Sequence, residues 1–288
     1  KGGEGKILSP HIDLLKNGAI GLADDDSIIN IPLLKKGLVL GEMGTFPIFL
    51  APRDKSIQGD GIVREGVETL RAGWKPDPKA SETIPLQQIL ELHLQHPEKS
   101  IRIMNVSTEE AVLSLKRNTS KIISSVSWWH LIADRSTLSA IDPGWRVCPS
   151  LGGAEDRLAL IQGIKARTIS SIAVHAIPLE EETFLSPPDK RPPGLSGHHL
   201  VLPSLWQNLI VTKKLSIEQL WHGLSFGASK MINSNEEVLK IGSKRWMLFD
   251  PNHVWTQSRY KEETPKASNQ PWEGKKILGK VISCGLQT

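Results

Sequence analysis

The segment IRIMNVSTEEAVLSLKRNTSKIISSVSW, residues 101–128, decides the fold class. Apolar runs at 101–108 and 121–128 enclose an amphipathic stretch at 107–117. Short apolar runs predict buried strands, whereas the stretch between them has the spacing of a helix. Ser107, with Glu110 three residues later, is the expected N-cap of that helix. Strand–helix–strand order of this kind predicts parallel strands covered by helices, which is an α/β fold.

The same alternation extends in both directions along the chain. Three more apolar runs predict strands, so that five strands precede residue 180; these runs are 18–26, 46–52 and 170–178. Further helices are predicted at 31–43, 83–97, 155–166 and 216–232. No G-x-G-x-x-G motif follows a strand, so a doubly wound dinucleotide-binding sheet has no specific support. A TIM barrel is the better interpretation, and its chemistry would lie at the C-terminal ends of the strands.

From residue 183 onward, the sequence predicts a long loop and strands outside the main strand–helix alternation. Residues 183–199 are rich in Pro and Gly and predict a long loop over the mouth of the barrel. From residue 240 onward, strands are expected at 241–255 and 277–285 on either side of a polar loop. We therefore predict a partial barrel domain at 1–239 and a C-terminal β segment at 240–288.

Composition narrows the class of protein. The chain is 39% hydrophobic and 23% charged, which is typical of globular proteins. Its net charge of +4 is concentrated in residues 240–288, but no basic patch interleaved with aromatic residues indicates a nucleic-acid site. No apolar run reaches the roughly 20 residues that span a bilayer. Two distant cysteines, Cys148 and Cys284, indicate a reducing compartment, so we expect a cytoplasmic protein without nucleic-acid or membrane partners.

The order of segments resembles the dihydroorotases, cyclic amidohydrolases built on a metal-dependent TIM barrel. GAIGLADDDSIIN (18–30) is similar to the family's G-A-x-x-F-S-D-D-G strand, and IRIMNVST (101–108) to x-H-x-x-H-V-S-T. RVCPSLGGAEDR (146–157) resembles K-V-N-P-P-L-R followed by a Glu-Asp-Arg helix, and LFDPNHVW (248–255) resembles a closing D-P strand. The resemblance covers essentially all 288 residues. It implies an amidohydrolase-type barrel whose N-terminal strands are absent from this chain and whose C-terminal β segment belongs to a composite sandwich domain.

The positions that carry chemistry in that family differ here. The resemblance implies zinc held by a first-strand H-x-H, an Asp or modified Lys, and two later His residues, with an Asp that accepts a proton from metal-bound water. The matching positions are Ala51 and Asn105 (the two later His), Cys148 (an Asn that touches substrate), His175 (the proton-accepting Asp), and Ala176 and Leu179 (two neighbouring His). The H-x-H strand would precede Lys1.

Few residual candidates keep a suitable side chain. Asp24 and Asp25 are residual metal candidates, although a DDDS sequence also forms an ordinary polar turn. His175 and His130 are the best residual catalytic candidates, and His175 suits either proton transfer or a hydrogen-bonded pocket. A zinc ion lowers the pKa of its water by a margin equivalent to roughly 12 kcal/mol, which no single side chain replaces. We therefore expect no catalytic residue, no bound metal and no cofactor.

The resemblance implies a dihydroorotase-like protein linked to pyrimidine biosynthesis, which we expect to be catalytically inactive and structural or regulatory in role. Inactive members of that family assemble with aspartate carbamoyltransferase, so this enzyme or a second copy of the chain is the expected partner. One alternative is an active cyclic amidohydrolase that hydrolyses the ring amide of dihydroorotate with zinc at a remodelled site. Another is a ligand-binding barrel with an apolar pocket. Because a closed barrel needs all eight strands, we expect the native chain to begin upstream of Lys1 or a partner to cover the open edge.

Overall fold

The computed structural model describes residues 5–24, 27, 30–41, 44–118, 120–139, 144–261 and 264–286. The strands are β1 (Leu22–Ala23), β2 (Ile48–Leu50), β3 (Val63–Arg64), β4 (Pro76–Asp77), β5 (Ile101–Ile103), β6 (Ile123–Ser127), β7 (Ser171–Ala173), β8 (Arg245–Thr256) and β9 (Lys276–Leu286). The α-helices are α1 (His11–Lys16), α2 (Ile31–Leu40), α3 (Lys55–Gln58), α4 (Val67–Arg71), α5 (Ala80–Gln95), α6 (Glu109–Arg117), α7 (Trp129–Ile132), α8 (Ala154–Lys165), α9 (Val201–Leu205), α10 (Ile217–Trp221) and α11 (Gly227–Met231). Short 3-10 turns lie at Arg135–Thr137, Glu181–Leu185, Pro188–Lys190 and His198–Leu200, and π-helical turns at Trp206–Ile210 and His222–Phe226.

The main sheet has five parallel strands in the order β1-β2-β5-β6-β7. Each strand lies inside one of the five apolar runs, so the predicted strands and the predicted α/β class are confirmed. The strands are shorter than the runs because the backbone leaves the ladder early. At Asn105, for example, φ is 53°, a left-handed conformation that ends the extended course of β5.

Helix α5 starts three residues before the predicted position, at Ala80, and contains Pro85 in its interior. Proline lacks the N–H that would bond to the carbonyl oxygen of Ser81 one turn earlier. That oxygen instead accepts a hydrogen bond of 2.8 Å from the N–H of Asp54. A contact from another part of the chain therefore compensates for the missing helical bond.

The predicted N-cap of α6 is wrong by one residue. The side chain of Thr108, not Ser107, accepts the hydrogen bond from the N–H of Ala111, at 3.2 Å. Ser107 turns inward, and its own N–H donates to Oε1 of Glu82 at 2.8 Å. Ser107 is thus engaged by Glu82 through both its N–H and its hydroxyl, and Thr108 caps the helix.

The core lies between the sheet and the helices that cover it. Leu50, Ile101 and Ile103 of the strands are fully buried, as are Leu86 and Ile89 of α5. Burial of each such side chain stabilises the fold by about 1.5–3 kcal/mol. These side chains belong to one cluster of buried apolar residues, so apolar packing holds the sheet and its helices together.

Residues 217–231 form consecutive helical turns that pack on the start of β7. A Cβ atom at Gly227 would lie 1.7 Å from the carbonyl oxygen of Ser170, so only glycine allows this backbone-to-backbone contact. This close approach fixes the last described helices against the sheet end opposite to the strand-end site described below.

The two predicted C-terminal strands are present as β8 and β9, and they pair antiparallel as a long hairpin. The rings of Trp206 and Phe249 meet edge to face with centroids 5.3 Å apart, which anchors the hairpin on the helical turn after α9. The boundary at residue 240 stays a prediction. No helix among the described residues is long and apolar enough to cross a membrane.

Candidate functional site

The C-terminal ends of the five parallel strands place the predicted site residues along one edge of the sheet. Asp24 follows β1, Ala51 follows β2, Asn105 follows β5, His130 follows β6 and His175 follows β7. Parallel strands present their carboxyl ends at the same edge, so this arrangement follows from the topology. Asp25 lies outside the described residues. We refer to this edge as the strand-end site.

His175 and Asn105 form the polar contact at its centre. Nε2 of His175 lies 3.1 Å from Oδ1 of Asn105. Because an amide oxygen only accepts, Nε2 carries the proton in this arrangement and Nδ1 keeps a lone pair. Burial lowers the pKa of His175, and the neighbouring His198 lowers it further. The imidazole is therefore neutral near pH 7, with one nitrogen able to accept a proton.

The surroundings of this pair hold it in place. The N–H of Asn105 donates to Oγ of Ser125 at 3.1 Å, and the indole N–H of Trp128 donates to the carbonyl oxygen of His175 at 2.9 Å. The ring of Trp129 lies 5.6 Å from that of His175. Both indoles are fully buried. Two buried indoles thus hold the pair in place.

His130 is a core residue. It is 2% exposed, and its ring nitrogens lie near the backbone of Pro149 and Ser150 without a hydrogen bond of ordinary geometry. Burial lowers its pKa to about 3. A neutral imidazole without access to solvent is poorly placed to exchange protons with a substrate, so packing explains His130 better than catalysis.

The donors at this edge do not fit the zinc centre that the resemblance implies. Zinc needs three or more nitrogen, oxygen or sulfur ligands from the protein. Ala51 is buried and offers only a methyl group, Asn105 offers an amide already bonded to His175, and Leu179 is apolar. Among the described residues, no three His, Cys, Asp or Glu side chains lie together as a metal site requires.

Asp24, Ala176 and Leu179 occupy separate places around this edge. The N–H of Asp24 donates to the carbonyl oxygen of Phe49 at 3.2 Å, which continues the pairing of β1 with β2. The backbone of Leu179 bonds to Asn269, with Oδ1 accepting at 2.9 Å. Ala176 lines a groove that faces the C-terminal hairpin. The structure thus brings together His175 and Asn105 but leaves these three in different contacts.

Cys148 contacts a residue that the sequence reasoning passed over. Nη1 of Arg53 donates to Sγ of Cys148, and the same guanidinium donates twice to Oε1 of Gln58, at 2.9 and 2.6 Å. Arg53 is 8% exposed and lines a cavity of about 260 Å³ with Cys148 and Arg146. Its position directly after the predicted strand 46–52 was the signal that could have drawn attention to it.

A buried ion cluster behind the strand-end site was also missed. Arg64 is 1% exposed; its Nη2 lies 2.8 Å from Oε2 of Glu82 and its Nη1 lies 3.1 Å from Oδ1 of Asp77. Burial raises the pKa of Glu82, and the guanidinium opposes that change. Glu82 shares a helix face with Leu86 and Ile89, at i+4 and i+7, which was the available signal for a buried carboxylate.

No model of a protein family matches the chain. A probable dihydroorotase-like protein of Synechocystis sp. is 33% identical over 296 residues, covering 98% of this chain and 65% of the relative. The dihydroorotase of Thermoanaerobacter sp. is 26% identical, covering 99% and 67%. The chain belongs to the cyclic amidohydrolase superfamily. It spans about two thirds of the length of these relatives.

Solved structures of the superfamily share the fold. An L-hydantoinase (dihydropyrimidinase) from Arthrobacter aurescens matches with a TM-score of 0.77 at 15% identity, covering 95% of this chain and 64% of that one. A dihydroorotase from Campylobacter jejuni matches with a TM-score of 0.69 at 15% identity, covering 96% and 75%. These structures confirm the predicted amidohydrolase TIM-barrel fold class, and the sequence relatives confirm the predicted superfamily. The roles of the individual site residues stay predictions.

Proposed function

We propose that this cyclic amidohydrolase homologue does not hydrolyse dihydroorotate and instead serves pyrimidine biosynthesis as a structural or regulatory protein. The hydrogen bond between His175 and Asn105 is the observation that supports this most strongly. It stands where the resemblance expects a proton-accepting carboxylate and a zinc-binding imidazole. Together with Ala51, it replaces three groups of the family's chemistry by an internally satisfied neutral pair and a methyl group.

The energetic argument concerns the attacking water. Zinc activates water by an amount equivalent to roughly 12 kcal/mol, an upper bound derived from the shift in the pKa of the water. His175 has an ordinary imidazole whose pKa burial lowers, which makes it a weaker base than a free histidine. General base catalysis alone contributes about 10²–10⁴-fold, far below what the metal supplies.

The proposed partner is aspartate carbamoyltransferase, with self-association as the competing possibility. The C-terminal hairpin exposes Trp246, Leu248, Val254 and Ile282, which are large apolar side chains. Exposed apolar and aromatic groups of this kind are typical of contact surfaces. Sedimentation of the protein with and without a carbamoyltransferase tests this, and a monomer under both conditions contradicts it. We also propose a cytoplasmic location, since a chain of this size with only two, widely separated cysteines is typical of a reducing compartment.

Turnover and metal content test the main proposal. We expect purified protein to show no hydrolysis of dihydroorotate and to hold well below one zinc ion per chain. The triple variant Ala51→His, Asn105→His and His175→Asp should gain zinc before it gains activity, because coordination needs only ligands whereas turnover also needs substrate contacts. His222→Asp, on the helix away from the strand-end site, is the matched control and should leave the zinc content unchanged.

An active cyclic amidohydrolase is the second candidate, favoured by one observation. His175 is neutral near pH 7 and keeps a lone pair on Nδ1, so it is able to accept a proton. This candidate requires zinc held by residues other than the described ones at the strand-end site. Turnover of dihydroorotate at ordinary enzyme rates, lost on His175→Ala, would establish it and overturn the non-hydrolytic proposal.

A further inference from the structure

A groove beside the strand-end site lies between the turn after β7 and the C-terminal hairpin. It encloses about 930 Å³ and is lined on one side by Ala176 and His198 and on the other by Trp255 and Lys280. His175 and Asn105 are not among its described lining residues. A volume of this size lies within the range of about 300–1,000 Å³ that is usual for small-molecule sites.

The charged side chains among the described lining residues of the groove are all positive. Lys261, Lys266 and Lys280 line it together with two histidines, and no described lining residue is acidic. Nζ of Lys261 donates to the carbonyl oxygen of Thr256 at 3.0 Å, and Nζ of Lys266 donates to that of Lys261 at 2.5 Å. Each ammonium group has three donors, so these bonds orient Lys261 and Lys266 and leave protons for an acceptor in the groove.

An aromatic wall completes the groove. The indole N–H of Trp255 donates to the carbonyl oxygen of Gly279 at 2.9 Å, which fixes the plane of the ring across the hairpin. Beside it, Nε2 of His199 lies 3.0 Å from Oε1 of Gln257, a fully buried side chain. Burial lowers the pKa of His199, so this imidazole is neutral and forms part of the wall. The wall is therefore rigid and mostly apolar, whereas the lysines carry the charge.

We propose that this groove binds a small organic anion with a planar ring. The ring would stack on Trp255, and a carboxylate or phosphate group would accept hydrogen bonds from the lysines. Fixed cationic donors next to an aromatic face recognise both parts of such a molecule, and the charged groups give the stronger hydrogen bonds. The inference does not depend on whether the strand-end site is active, because no residue of the hydrogen-bonded pair lines the groove.

Calorimetric titration of the purified protein at low salt tests this with three probes. 2-Naphthoate carries both the ring and the charge, 2-naphthamide carries the ring alone, and inorganic phosphate carries the charge alone. We expect 2-naphthoate to bind at least about tenfold more tightly than either of the others, since a tenfold ratio corresponds to one charge-assisted hydrogen bond. Equal affinity for 2-naphthoate and 2-naphthamide, or no heat with 2-naphthoate at about 1 mM, would overturn the proposal.

Variants locate the binding. Lys266→Gln and Lys280→Gln remove one charge each from exposed side chains, and Trp255→Leu removes the ring; each should weaken 2-naphthoate about three- to tenfold. Lys240→Gln makes the same change of charge at an exposed residue outside the groove and should change the affinity less than about twofold. An equal loss in Lys240→Gln would show that only the overall charge matters and would contradict the assigned site.

Discussion

Two polar regions meet at the end of β5: one joins residues of charged type, and the other is a neutral hydrogen-bonded pair. Ser107 belongs to the buried cluster in which Arg64 lies between Asp77 and Glu82. Asn105, two residues earlier, belongs to the strand-end site, where it bonds to the neutral ring of His175. The cluster is about 1% exposed and joins a guanidinium to two carboxyl groups, whereas the strand-end pair is half-buried and neutral. The scaffold therefore depends on charge, and the place where chemistry would be expected does not.

The difference has a physical cause. A buried ion that loses its partner is left in a medium of low dielectric constant, so each member of the cluster is required by the others. A neutral hydrogen bond near the surface is exchanged for water at little cost. Folding therefore constrains the charges of the cluster more strongly than it constrains the hydrogen bond between His175 and Asn105.

Replacement of Arg64 should cause the largest loss of stability. Arg64→Met leaves Asp77 and Glu82 buried side by side without a cation, and we expect it to lower the free energy of unfolding by about 3–5 kcal/mol. Urea denaturation measures this. Lys75→Gln is the control, because the side chains of its pair with Asp60 are 46% and 82% exposed and such a pair contributes about 1 kcal/mol or less. A loss below about 1 kcal/mol for Arg64→Met would remove the contrast between the two regions.

The second largest effect should be a loss of stability in acid that comes from the buried His130. The pKa of His130 is lowered by burial from 6.5 to about 3 in the folded protein. Below pH 6.5, His130 therefore takes up a proton in the unfolded chain but stays neutral in the folded chain. Its contribution to the free energy of unfolding is full above that pH and is lost as the pH falls toward 3. Between pH 7 and pH 5 we expect a loss of about 2 kcal/mol from this residue.

The comparison variant for this effect is His130→Gln, which does not titrate. Urea denaturation of both proteins at the two pH values isolates the contribution of His130 from that of other groups. Parallel pH dependence in the wild type and in His130→Gln would show that the imidazole is not held neutral by burial.

Substitution at the strand-end site should have the smallest effect on folding. His175→Ala removes one neutral, half-buried hydrogen bond, so we expect a loss of about 1 kcal/mol or less in urea denaturation. Trp129→Ala, which truncates the neighbouring buried indole, should cost about 3–5 kcal/mol and serves as the contrast. A loss for His175→Ala as large as that for Trp129→Ala would mean that this pair is part of the core.

Local sequence patterns predicted the strands and helices because these elements depend on residues that are close together in the chain. The apolar runs at 101–108 and 121–128 marked β5 and β6, and the order of motifs placed the chain in its superfamily. The N-cap of α6 was misplaced because Ser107 and Thr108 are equally suited by residue type. Their contacts in the fold distinguish them: the N–H of Ser107 donates to Glu82, 25 residues away, whereas the side chain of Thr108 accepts from Ala111.

The sequence by itself predicted the parallel strands, their covering helices and the two C-terminal strands, since each follows from residue type and order. Only the tertiary structure decided the contacts between distant segments. Arg64 meets Ser107 across 43 positions, and His175 meets Asn105 across 70. The lysines of the groove face Ala176 from another part of the fold. Periodicity carries no information about such distances, because a hydrogen bond or an ion pair depends on where the packed core places two side chains.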